Sequence, residues 1–220
     1  MQRCFRFPIS RIAMFGLMTV VGIPATAAAP KNDIVVPPVP ANLQVPVGNS
    51  VYRLGHAIGT QNYVCLPCPT TSPACTATGF VWTFFGPQAT LFDDDDEQII
   101  THFLSPNPVE GGTPRATWQD SRDTSAVWAF APPANQFVVP GAIPWLRLQV
   151  VGTQSGPTGG DRLTATTFIQ RLDTAGGIAP TTGCSAAAAV GKTALVSYEA
   201  DYFFYRARPV HGQGHDKEND

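Results

Sequence analysis

A chain of 220 residues with 44% hydrophobic and only 14% charged residues has room for one ordinary domain with a real core. Its charged fraction lies well below the roughly 25% usual in soluble domains. The 20 Gly and 21 Pro interrupt it too often for a helical bundle. The net charge of −2, with no basic stripe, excludes nucleic acid as the expected partner.

In chain order, Arg3, Arg6 and Arg11 precede the apolar run Ile12 to Ile23, which Pro24 ends and Ala25-Thr26-Ala27 follows. This is the order of a secretory signal peptide, and the run is too short for the roughly 20 residues of a membrane span. Residues 1–27 are therefore expected to be removed, leaving an exported, secreted or periplasmic chain with no transmembrane span. Losing those three arginines and no acidic residue takes the net charge from −2 to −5. It also removes Cys4 and leaves Cys65, Cys68, Cys75 and Cys184. An even number in an exported chain reads as disulfides, in any of three pairings. Cys65-x-x-Cys68 alone is a poor redox or zinc motif, because Pro69 and a Thr/Ser/Pro loop follow it and no second close pair exists.

Residues 28–46 form a Pro-rich lead-in, expected to lie extended over the surface. A β-rich body is expected over 47–206. Phe80, Trp82 and Phe84 alternate with Val81, Thr83 and Phe85, a strand covered on both faces. Leu146, Leu148 and Val150 alternate with Arg147 and Gln149. Leu163 to Leu172 is rich in Thr and in aromatic and branched residues. Val196, Tyr198, Ala200, Tyr202 and Phe204 alternate with Ser197, Glu199, Asp201 and Phe203, a strand with one wet face. Gly/Pro turn signals separate these runs, and Ser185 to Val190 allows a helical turn or two at most. The fold class is therefore all-β, a single antiparallel sandwich or barrel. Residues 207–220 are polar and expected to be disordered.

Several stretches carry a family resemblance. Tyr63-Val64-Cys65, Gly86-Pro87-Gln88-Ala89-Thr90-Leu91, Thr117-Trp118-Gln119-Asp120 and Gly141-Ala142-Ile143-Pro144-Trp145-Leu146 are among them. More specific are the run from Phe168 to Pro180, which includes Gln170-Arg171-Leu172-Asp173, and Tyr198-Glu199-Ala200-Asp201-Tyr202-Phe203-Phe204-Tyr205. Over roughly residues 42–206 the chain resembles the exported family called domain of unknown function 3455. The resemblance implies an exported β-rich protein and no established activity. Two departures stand out: an insertion over Ser105 to Arg115, and the extra Cys68 and Cys75. Because those two cysteines arrive together around a short Pro-containing loop, they are expected to pair. The other two fall where the family has its own cysteines, which implies Cys65–Cys184. Some relatives carry a malate dehydrogenase label, but no Gly-x-Gly-x-x-Gly opens a helix after a strand here.

The candidate chemistry is sparse. His102 shares a strand face with Ile100 and Leu104 and titrates near neutral pH if solvated. His56 is the other His of the body, and the two are the candidates for a metal that would need a third donor; no cofactor is expected. Asp93 to Glu97 reads as a solvated hairpin turn, although such a run of carboxylates also suits a weak calcium site. No Gly-x-Ser-x-Gly elbow is present. His102, Trp118, Asp120 and Arg171 are the candidate binding residues. The favoured function is a binding or envelope-associated module for a small molecule, a glycan or an envelope component. The alternative is a metal-dependent or carbohydrate-active enzyme with its site near His102, Trp118 and Asp120.

Overall fold

The computed structural model of the protein describes residues 33–68 and 79–209. The expected signal peptide (residues 1–27), Cys75 and residues 210–220 lie outside the described residues. Among the described residues nine strands form: β1 (Asn49–Pro67), β2 (Phe80–Phe92), β3 (Gln98–Asn107), β4 (Thr113–Asp120), β5 (Ala126–Phe130), β6 (Gln136–Phe137), β7 (Trp145–Gln154), β8 (Thr166–Gly176) and β9 (Thr193–Ala207). Every strand pairing is antiparallel. The order runs β5-β4-β3-β2-β1-β9-β8-β7, and β5 pairs again with β7, so eight strands close into a barrel. The two-residue β6 adds to the edge of β7. Between the sandwich and barrel alternatives, the β5–β7 ladder decides for the barrel.

Alternation dictates what fills it. Ala57, Leu91, Ile100, Trp118, Val127, Leu148, Ile169 and Phe204 point inward and form the main core. An eight-stranded barrel leaves an interior that side chains can just fill, or that can hold one small ligand. β1 supplies small residues on its inward phase at Gly55, Ala57 and Gly59. A side chain at position 59 would meet the Gln88 carbonyl at 2.2 Å, so glycine there lets β1 coil closely over β2.

Two expectations about strand faces are corrected. Phe84 and Phe85 are exposed (50% and 68%), because β2 pairs with β3 only from Gln88 onward. Before that residue, β2 and the end of β1 run on as a ribbon past the barrel rim. The outer face of β9 is not wet along its whole length. The described part of the lead-in makes a 3-10 turn at Ala41–Leu43, and its Ile34, Val36, Val39, Leu43 and Val45 pack over Leu172, Phe203 and Tyr205 as a second core outside the barrel. Leu43 is fully buried there, and its carbonyl accepts a hydrogen bond of 2.7 Å from the buried Gln170 side chain.

Cys65 and Cys184 form the expected disulfide. Together with Phe80 and Trp82 they make a third, smaller cluster, in which the loop between β8 and β9 is fastened to the ribbon. Cys68 is also disulfide-bonded. The acidic run is the β2–β3 turn, as expected: Asp93 Oδ1 accepts from the backbone N–H of Asp95 and of Glu97. Among the described residues, no helix is long and apolar enough to cross a membrane.

Candidate functional site

The two ends of the barrel differ. At one end Arg53 donates to the fully buried Asp120 carboxylate at 2.5 Å. Tyr52 bonds to Thr166 nearby at 2.7 Å, and Leu91, Ile99 and Leu163 complete the plug. At the other end the interior opens as a cavity of about 570 Å³, within the size range of small-molecule sites. Its walls include Leu104, Ala116, Ala129, Ile143, Leu146 and Leu148, with Phe84 at the mouth.

His102, Trp118 and Arg171, three of the four candidates, line this cavity; Asp120 does not. Strand register explains the separation. His102 on β3 lies directly opposite Trp118 on β4, and their rings stack with centroids 4.2 Å apart. Asp120 is two residues further along β4, on the same face but toward the plug, where it pairs with Arg53. The structure thus brings His102, Trp118 and Arg171 together and sets Asp120 apart from them. His56 faces outward, the opposite side of the sheet from His102. Its ring is bonded to Asp201 at 2.7 Å and to Asp94 at 3.0 Å. Burial opposes the charge on His56, but these two carboxylates outweigh it and raise its pKa. The two histidines therefore cannot share a metal. Among the described residues no three His, Cys, Asp or Glu side chains converge in a metal-binding arrangement.

His102 is a buried wall residue. Its Nδ1 lies 2.8 Å from the Thr117 carbonyl, which can only accept, so Nδ1 carries the proton and Nε2 the lone pair. Burial pushes its pKa down to about 3, opposed by the Thr117 hydrogen bond and aided by the Arg171 charge. The expectation of titration near neutral pH is therefore corrected: the ring is neutral at physiological pH. The linkage has a definite sign. The unfolded chain takes up this proton below about pH 6.5 and the folded chain does not, so stability is full above that pH and falls as pH drops toward 3. At about 1.4 kcal/mol per pH unit, roughly 2 kcal/mol should be lost between pH 7 and pH 5. Urea unfolding of wild type and His102→Gln at both pH values checks this: the acid loss should shrink in the variant, and equal losses would refute the assignment.

Sequence reasoning missed other lining residues. Gln61 is buried on the inward phase of β1, and a polar residue in the small, apolar series Gly55, Ala57, Gly59 was the available signal. The Gln61 and Trp118 side chains each carry a buried N–H with no hydrogen-bond partner. Tyr63 donates to the Gly177 carbonyl at 2.7 Å. Arg171, between Tyr202 and Leu146 in the ladder, donates through Nε and Nη2 to the Pro144 carbonyl at 3.2 and 2.8 Å. The inserted segment contributes as well: Pro114 and Arg115 line the cavity, and Arg115 is held by Glu110 through two hydrogen bonds of 2.8 and 2.6 Å. Among the described residues lining it there is no Ser, Thr, Cys, Asp, Glu or Lys. The wall thus offers apolar surface, hydrogen-bond donors and a few neutral acceptors such as His102 Nε2, with no carboxylate among the described lining residues.

Fold and site together define a closed eight-stranded antiparallel barrel, plugged at one end and hollow at the other. The chain belongs to the family described as protein of unknown function DUF3455, whose model matches residues 46–206. That match covers the barrel strands from Asn49 to Arg206 and leaves the lead-in before Pro46 outside it. A search of curated proteins and a search of solved structures each found no match.

Proposed function

We propose that this protein is an exported binding module that holds one small organic molecule in the open end of its barrel. The observation that carries this reading is the cavity itself: about 570 Å³, walled mostly by apolar side chains, with two buried N–H groups of Gln61 and Trp118 left without partners. An unpaired buried donor costs about 1–3 kcal/mol, and a ligand carrying acceptors relieves that cost. Catalysis has less support: burial pushes the pKa of His102 down to about 3, which makes it a weak base, and no Ser, Cys, Asp or Glu is among the described residues lining the cavity. Export is supported by the charged, apolar and small-residue order of the first 27 residues and by the buried Cys65–Cys184 bridge, which suits an oxidising compartment.

The neutral fluorescent probe N-phenyl-1-naphthylamine tests the cavity without favouring charge. It should bind the wild-type protein in a one-to-one ratio with enhanced emission. Ala116 is a half-buried wall residue on β4, and Ala116→Trp should fill the space and weaken binding about tenfold or more with little change in melting temperature. Absence of binding to the wild type, or undiminished binding to a folded Ala116→Trp variant, would overturn the reading.

A further inference from the structure

We propose that the ligand is an apolar carboxylic acid whose carboxylate docks on Arg171; this rests on the barrel cavity being a binding site. Arg171 is half-buried and lines the cavity. Among the described residues it has no carboxylate within ion-pairing distance, whereas Arg53, Arg115 and Arg122 pair with Asp120, Glu110 and Glu97 respectively. A guanidinium taken partly out of water without a counter-ion is costly, so a site that keeps one there gains from an anion brought by the ligand.

The geometry of its bonds favours a carboxylate. Nε and Nη2 are engaged by the Pro144 carbonyl, which fixes the plane of the group. The opposite edge, formed by Nη1 and the second hydrogen of Nη2, is not used by Pro144. Two parallel N–H groups on that edge match the two oxygens of a carboxylate. The charge of Arg171 also reaches the cavity wall at His102, whose pKa is lowered chiefly by burial and further by this guanidinium.

The rest of the wall supports the same class. Among the described residues no Asp or Glu lines the cavity, so no carboxylate there repels an anion. The unpartnered N–H groups of Gln61 and Trp118 are donors, which suit a ligand rich in acceptors. Leu104, Ile143, Leu146 and Leu148 provide the apolar surface for its body. Among the described lining residues Arg171 is the one cation without a carboxylate partner, which suits one negative charge better than the two of a phosphate monoester.

The test displaces bound N-phenyl-1-naphthylamine with decanoate or with 1-decanol, which share a chain and differ in charge. Decanoate should displace the probe from the wild-type protein at a concentration at least about tenfold below that of 1-decanol. In Arg171→Gln the decanoate advantage should vanish while 1-decanol changes less than twofold. Arg171→Lys, which keeps the charge without the fork, should fall between. If Arg171→Gln does not fold, the comparison of Arg171→Lys with wild type decides. Equal displacement of the probe from the wild-type protein by the two compounds, or a decanoate advantage that is undiminished in Arg171→Gln (or, if that variant does not fold, in Arg171→Lys), overturns the carboxylate proposal and leaves the binding module intact. Failure of the probe to bind the wild-type protein overturns the binding module itself.

Discussion

Replacing Cys184 by serine is expected to lower the melting temperature by on the order of 10 °C. The bridge joins residues 119 apart in sequence, and a loop of that size corresponds to nearly 5 kcal/mol in the chain-entropy model, less any native strain. For a chain of this size each kcal/mol moves the midpoint by about 2–4 °C. The native contacts point the same way. Cys65 is fully buried, its backbone exchanges hydrogen bonds with Gly191 and Lys192, and Trp82 donates to the Thr182 carbonyl at 2.9 Å. Without the covalent link, those contacts must hold a long segment between β8 and β9 that offers little apolar surface of its own. Cys75→Ser interrupts only a short expected loop and should cost less, on the order of 2–3 kcal/mol by the same model. Calorimetry of both variants under oxidising conditions, with a reduced wild-type sample beside them, checks the order. A Cys184→Ser protein that melts with the wild type would show that the bridge does not restrain the fold.

The second large effect belongs to the plug. Arg53→Met should destabilise the protein by about 3–5 kcal/mol, because it strands the Asp120 carboxylate in the interior. That side chain has no exposed surface, and its Oδ1 already accepts from the backbone N–H groups of Arg122 at 2.9 Å and Asp123 at 3.0 Å. The carboxylate is thus tied to the β4–β5 turn and cannot swing out to water. Asp120→Ala removes the same pair and those two turn hydrogen bonds, so it should cost at least as much. Because both changes break one interaction, the loss in the double variant should fall clearly short of the sum of the single losses. Urea unfolding measures all three. An Arg53→Met protein within about 1 kcal/mol of wild type would mean that the pair contributes little, as exposed pairs usually do.

The barrel's inner faces could be read locally wherever alternation was clean. Leu146, Leu148 and Val150, and Tyr198, Ala200, Tyr202 and Phe204, keep their expected common sides because side chains on a strand alternate with period two whatever the strand pairs with. Alternation does not say what covers the other side. Phe203 and Tyr205 on the outer face of β9 are buried because a lead-in some 160 residues earlier lies across them. Phe84 and Phe85 are exposed because their strand outruns its neighbour. Residues on one strand face can also serve opposite ends of the barrel, as Trp118 and Asp120 do only two positions apart.

The amino-acid sequence by itself determined the all-β class, the β2–β3 turn at Asp93 to Glu97 and the inward or outward phase of most strands. All of these follow from interactions between residues close in the chain: alternation, turn chemistry and the scarcity of helical runs. Family resemblance added the Cys65–Cys184 pairing. Only the tertiary structure decided that the sheet closes through β5 and β7, that Asp120 belongs to Arg53, that His102 is neutral, and that Arg171 stands in an open cavity with no carboxylate partner among the described residues. Those outcomes depend on the register of strands far apart in sequence and on the burial it produces. A one-residue slip in that register would turn every side chain to the other face, so neither a cavity nor its charge exists until the ladder is complete.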